Sequence, residues 1–139
     1  MNFLAHFYLA EKSQASVVGN FLGDFVKGPL ENGFEPEILD GIYMHRKVDS
    51  YTDQHPLFIK SKLLVSPLRK RFSGIIVDLC FDHFLAKNWE QYSNVTLLKF
   101  VEHIYSILLK NMNLYPERVQ YFTSRMAEEN WLYSYKTIE

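Results

Sequence analysis

Four stretches of this chain place acids, amides and histidines among apolar side chains. The densest is Asp78-Leu-Cys-Phe-Asp82-His83, inside the apolar run from Gly74 to Ala86. On a helix, positions four apart share a face, so Asp78 and Asp82 point the same way. Ile75, Ile76, Val77, Leu79, Phe81, Phe84 and Leu85 surround them, a pattern that predicts burial all round. Buried carboxylates are costly unless paired or holding a cation, at about 3–5 kcal/mol where one partner of a buried pair is removed. A second stretch has Asn20 and Asp24 between Val17, Phe21, Leu22 and Phe25. A third has His45 and Asp49 four apart, with Arg46 beside them. The fourth has His6 among Phe3, Leu4, Phe7 and Leu9. Oxygen and imidazole donors of this kind suit Mn, Mg, Fe or Zn.

Each residue alone has a plainer account. His6 reads as a hydrogen-bonded core histidine. His45 and Asp49 make an ordinary i,i+4 pair, Asp24 reaches Lys27, and Asp78 or Asp82 pairs with Arg46 or Arg69. Together, Asp24, Asp78 and Asp82 are like charges that repel when gathered in a core, and a cation removes that conflict. Cys80 sits mid-helix in what reads as core, a poor setting for a nucleophile. The chain has no Gly-rich phosphate loop, no Gly-x-Ser-x-Gly and no His-Glu-x-x-His.

The elements that must bring these residues together read as helices. Glycine is scarce and few segments alternate with a period of two. The pattern predicts a first helix from Phe3 to Glu11. Ser13 caps a second, running to about Val26 before Gly28-Pro29, and an Asn32-Gly33 loop follows. Pro36 opens a third helix to about Tyr51. His55-Pro56 marks a boundary before a short helix from Leu57 to Val65. Ser73 caps the central helix to about Trp89, Ser93 or Asn94 caps the next to Lys110, and Pro116 opens a last helix ending near Tyr133. The expected fold class is all-α, a single irregular helical bundle over residues 1–139.

Composition sets the outer limits. The 139 residues suffice for one domain with a core, and 16% are aromatic. A net charge of −1 gives no whole-chain signal for nucleic acid or membrane. One cysteine excludes an internal disulfide and fits a reducing compartment. The apolar N-terminus lacks a basic region and a small-residue cleavage site, so a cytoplasmic location is expected. The segment between Gln54 and Val77 has no acid but carries Lys60, Lys62, Arg69, Lys70 and Arg71. It reads either as a solvated face or as a docking patch for an acidic macromolecule.

Met1-Asn-Phe-Leu-Ala-His6, Gly19-Asn-Phe-Leu-Gly-Asp-Phe-Val-Lys-Gly28, Gly41-Ile-Tyr-Met-His-Arg-Lys-Val-Asp49 with Thr52-Asp53, Asp78-Leu-Cys-Phe-Asp-His-Phe-Leu85 with Trp89, and Trp131-Leu-Tyr-Ser-Tyr135 stand in this order along the chain. In types and order they resemble the motifs of the acyl-carrier-protein phosphodiesterases, or ACP hydrolases. The resemblance implies an all-helical fold related to the HD-type phosphohydrolases and a divalent metal, typically Mn²⁺. The implied activity is hydrolysis of holo-acyl carrier protein to the apo form and 4′-phosphopantetheine, a reaction of lipid metabolism. The implied metal candidates are Asp24, His45, Asp78, Asp82 and His83, with His6, Arg46 and Asp49 as catalytic neighbours. Family members usually continue past the Trp-Leu-x-x-Tyr block, whereas this chain stops at Glu139, so a C-terminal extension is expected to be missing.

On this expectation Arg46 or Lys27 stabilises charge on the phosphoryl oxygens, and His6 or His45 protonates the leaving serine oxygen. The acidic carrier protein docks on Lys60, Lys62, Arg69, Lys70 and Arg71, and aromatic side chains line a slot for the pantetheine arm. The alternatives are an HD-like phosphohydrolase acting on a nucleotide or other small phosphate ester, and a helical binding protein whose polar groups only form ion pairs.

Overall fold

A computed structural model describes residues 1–30 and 33–137. It is all-α, with eight α-helices and three short 3-10 turns and no strand among the described residues. The helices are α1 (Phe3–Lys12), α2 (Val17–Leu22), α3 (Pro36–Asp53), α4 (Pro56–Leu63), α5 (Ser73–Lys87), α6 (Leu97–Lys110), α7 (Glu117–Glu128) and α8 (Trp131–Ser134). None is long and apolar enough to cross a membrane.

Helix starts follow local chemistry, with shifts from the sequence reading. α2 is a short helix capped by Ser16, not Ser13; the Ser16 hydroxyl accepts from the Gly19 N–H at 2.9 Å. Pro36 opens α3 as expected, and α3 runs on to Asp53. The His55 imidazole caps α4, its Nδ1 accepting from the Leu57 N–H. Ser73 does not cap α5, because a 3-10 turn over Pro67–Phe72 runs straight into that helix. Thr96, rather than Ser93 or Asn94, caps α6. The last helix breaks in two at Asn130, whose φ of 51° is left-handed. The Tyr105 hydroxyl holds that break, donating to Asn130 Oδ1 at 2.8 Å and accepting from the Leu132 N–H at 3.0 Å. Of the expected Asn32-Gly33 loop, Asn32 lies outside the described residues.

The core lies among α1, α2, α3, α6, α7 and α8, with Leu4, Phe7, Leu22, Ile42, Ile104 and Leu108 fully buried. Phe21, Phe25 and Phe122 meet edge-on or tilted within it. α2 and α3 pack most closely where Gly19 faces Gly41: a Cβ on Gly19 would lie 2.8 Å from the Gly41 Cα and 2.3 Å from the Ile38 carbonyl oxygen. Only glycine permits that approach of α2 to α3.

The expectation that α5 is buried all round is overturned. Only Val77, Asp82 and Ala86 are buried, while Ile75 and Phe84 are more than half exposed. Cys80 is half-buried rather than core. α5 packs on α1 and, through Phe81 against the buried Phe58, on α4, and leaves Ile75, Leu79 and Phe84 on the surface, a distinction that hydrophobicity cannot make. That surface continues onto α4 and the following turn, where Leu64 and Leu68 are 87% and 96% exposed.

Candidate metal centre

α1 and α3 meet through three side chains. His6 Nε2 lies 2.9 Å from Asp49 Oδ1, and His45 Nε2 lies 3.2 Å from Asp49 Oδ2. The two imidazoles stack with centroids 3.9 Å apart and planes 16° apart. Both rings are buried, and neither Nδ1 has a hydrogen-bond partner. His6, His45 and Asp49 each offer a donor atom, and these atoms lie within 4.8 Å of one another. Asp24 Oδ1 stands 3.5 Å from His45 Nε2.

The ring of His45 has room only because residue 23 is glycine. A Cβ there would fall 2.5–2.8 Å from the His45 ring and Cβ atoms. Gly23 follows directly on α2, so the Gly-Asp pair at 23 and 24 does two things: it clears space for the imidazole and aims a carboxylate at it. The sequence reading missed Gly23; its signal is the glycine beside the candidate acid.

Carboxylates gather next to this cluster. Asp24, Asp49, Asp53 and Asp78 line one cavity of about 250 Å³ with Met1 and Asn2. Asp53 was also missed, although it sits four residues after Asp49 on α3. The Met1 ammonium bridges two of these acids, 3.1 Å from Asp49 Oδ1 and 3.2 Å from Asp78 Oδ1. Burial would push the Asp49 carboxyl up. Hydrogen bonds from His45 and His6, with the nearby positive charge, prevail and hold it far below the usual carboxylate range. Asp78 is shifted the other way: burial, aided by Asp53 and Asp49, outweighs the ammonium and raises it. The ammonium itself is raised, because Asp78 and Asp49 outweigh its burial.

Other sequence candidates have different surroundings. Asp82 is fully buried and accepts from the Leu4 N–H at 2.9 Å and the Ala5 N–H at 3.1 Å, one on each oxygen. Those groups belong to the first turn of α1, which has no acid of its own and no side-chain cap. Burial lifts the Asp82 carboxyl to about 7 even against these two bonds. His83 Nδ1 lies 2.8 Å from the Tyr135 carbonyl, and the Tyr135 hydroxyl accepts from Asn2 Nδ2. The Trp131–Tyr135 block therefore ties α5 to the start of α1. Arg46 donates to the carbonyls of Val26 and Gly28 and lines a further cavity with Lys27, His45 and Asp49.

The donor set fits a divalent transition ion. It offers two imidazoles and a carboxylate held ionised, with further carboxylates within reach and two buried ring nitrogens unpartnered. Fold and cluster define an all-helical protein with a candidate His₂Asp metal centre. A family model described as acyl carrier protein phosphodiesterase matches residues 1–139. A relative of that name from Yersinia pestis is 41% identical over 136 residues, covering 97% of this chain and 70% of its own length. Those from Photorhabdus laumondii and Escherichia coli are 38% and 34% identical, covering 97% and 100% of this chain and 69% and 72% of themselves. The chain belongs to the acyl carrier protein phosphodiesterase family. No solved structure matches it.

Proposed function

We propose that the chain hydrolyses the phosphodiester joining 4′-phosphopantetheine to the serine of holo-acyl carrier protein, with a divalent ion, Mn²⁺ the best fit, held by His6, His45 and Asp49. The observation that carries this reading is the arrival of two imidazoles from different helices on the two oxygens of one carboxylate. Family membership supplies the reaction. When bound, the ion provides Lewis acidity and a stronger water nucleophile at neutral pH.

The chain's own residues do the rest. Asp49 aligns both rings, and Gly23 keeps the His45 ring seated. Asp24, Asp53 and Asp78 surround the cluster with acceptors for the ion and its water. Arg46, braced on two carbonyls, and Lys27 face the same cavity as His45 and Asp49, where they receive phosphoryl oxygens. The nitrogen that faces Asp49 is Nε2 in both rings, so an ion shared with Asp49 would take that lone pair, and neither imidazole would then give a proton from Nε2 to the leaving serine. The geometry therefore favours His6 and His45 as ligands over the sequence-based role of proton donor. Asp82 serves as the cap of α1, and His83 as its tie to the C-terminal block.

The carrier protein docks on the surface formed by α4, the 3-10 turn and the start of α5. Exposed Leu64, Leu68 and Phe72 stand there beside exposed Lys60, Arg69, Lys70 and Arg71. An apolar patch with a basic rim suits an acidic partner. The decisive experiment is incubation with holo-carrier protein and Mn²⁺, followed by the intact mass of the carrier. Loss of the phosphopantetheine mass supports the reading. An unchanged mass, from protein with metal bound, overturns it.

A further inference from the structure

The cavities along α1 follow one another, each sharing lining residues with the next. The acid-lined cavity beside the cluster shares Met1 with an apolar groove of about 320 Å³ between α1 and α5. Ala5, Leu9, Phe81, Phe84 and Leu85 wall that groove, and no charged side chain lines it. The groove in turn shares Tyr8 and Tyr92 with a cavity of about 500 Å³ walled by Trp89, Val95 and Phe100, with Lys12, Lys99 and His103 also lining it.

Both walls keep helical register. On α1, Ala5, Tyr8, Leu9 and Lys12 fall at i, i+3, i+4 and i+7, a single face. The order along the other wall has a direction. The exposed apolar and basic surface ends near Ile75, the cluster cavity includes Asp78, the groove spans Phe81 to Leu85, and the aromatic cavity follows at Trp89 and Tyr92. From Asp78 to Asn88, along α5 and its C-terminal cap, the path covers about 15 Å at the helical rise of about 1.5 Å per residue.

We propose that this path seats the pantetheine arm of the substrate, with its phosphate at the His6–His45–Asp49 cluster and its thiol end among Tyr8, Trp89, Tyr92 and Phe100. The inference rests on the carrier-protein reading and extends it to a binding site. An extended arm has about twelve bonds between phosphate oxygen and sulfur and spans about 15 Å at ordinary bond lengths, the length of the path. It is uncharged and bears a gem-dimethyl group and methylenes, which suit the apolar walls. Its two amides need hydrogen-bonding partners; at the groove the Tyr8 hydroxyl donates to the Tyr92 carbonyl and the Asn88 amide N–H to the Phe84 carbonyl, which leaves the Asn88 Oδ1 to accept from an arm amide. The polarity is also right: the serine end faces the docking surface and the free end points away from it.

The test uses two readouts on the whole chain. In an amide ¹H–¹⁵N spectrum, the Trp89 indole N–H, which donates to the Val95 carbonyl at 2.8 Å, reports on the aromatic cavity. Trp131, on α8 against Phe122, is the internal reference. Added 4′-phosphopantetheine shifts the Trp89 signal and leaves Trp131 in place. Phe84→Glu puts a charge midway along the groove at a side chain more than half exposed. It abolishes that shift and raises the KM for holo-carrier protein at least tenfold, with metal content as in the wild type. Tyr92→Ala, also at an exposed position, serves if the first variant misfolds and gives a smaller loss of both. A wild-type KM in the variants, with Trp89 unmoved by 4′-phosphopantetheine, overturns the groove while the hydrolase reading stands. A wild-type protein that releases no phosphopantetheine overturns both.

Discussion

Replacing Asp82 with alanine removes the acceptor of two buried backbone N–H groups, those of Leu4 and Ala5. Each buried donor left unpaired costs about 1–3 kcal/mol, so the variant loses about 2–6 kcal/mol at pH 5. For a domain of this size that is a fall of roughly 7–20 °C in melting temperature. Asp82→Asn keeps one acceptor oxygen and turns an amide towards the other N–H, so it loses about half as much. The pH dependence has a definite sign. The Asp82 carboxyl sits at about 7 in the fold, against about 3.9 in an unfolded chain. Between those values the folded state holds a proton that the unfolded chain has released. Its contribution is complete below about pH 4 and is lost as pH rises through about 7. The penalty of Asp82→Ala is therefore larger at pH 5 than at pH 8, and Asp82→Asn removes this part of the wild-type pH dependence. Thermal melts by circular dichroism at the two pH values measure it, with metal content read by elemental analysis. A variant that melts with the wild type at pH 5, or one that keeps its stability but loses its metal, refutes the capping role.

The remaining predictions concern the centre and the docking surface. Gly23→Ala drives a Cβ into the His45 ring and weakens Mn²⁺ binding by about 10- to 100-fold, as losses of supporting groups around a metal do; unchanged calorimetric affinity would count against the seat. Mn²⁺ at about 100 times its Kd adds about 2.7 kcal/mol of stability and raises the melting temperature by roughly 8–11 °C, and His6→Ala or His45→Ala abolishes the increment; a wild-type melt indifferent to Mn²⁺ argues against a centre. Reversing Lys60, Arg69, Lys70 and Arg71 to glutamate raises the KM for holo-carrier protein by about tenfold or more and flattens its salt dependence. Equal KM values in both proteins would place docking elsewhere.

Local signals in the sequence carried most of the elements. Pro36 opening α3 and the end of α6 at Lys110 involve only near neighbours, so they read directly. Ser13 and Ser16 are equally good caps by type, and only the turn at Gln14, with its φ of 56°, delays the start of α2 to Val17. The site was legible as residue types but not as partners. Asp49 is four residues from His45, yet its tie to His6 spans 43 positions and depends on how α1 docks against α3. Asp82 shows the opposite limit: its place in an apolar helix marks it as special, but its partners are backbone groups, which no residue type reveals. The exposed face of α5 was unreadable for a related reason, since an apolar side chain looks the same whether it meets a core or waits for a partner.

The stacked imidazoles have a consequence for the chain as a polymer. His6 lies near the beginning and Asp49 far along α3, so an ion gripped by both closes a loop of 43 residues. A permanent cross-link over that span would remove about 4 kcal/mol of chain entropy from the unfolded ensemble. An ion there would be a reversible form of the same tether, present only while both helices are docked. Loading the centre would then slow the separation of α1 from α3 more than it alters the rest of the bundle, so the lifetime of the fold itself would follow metal supply.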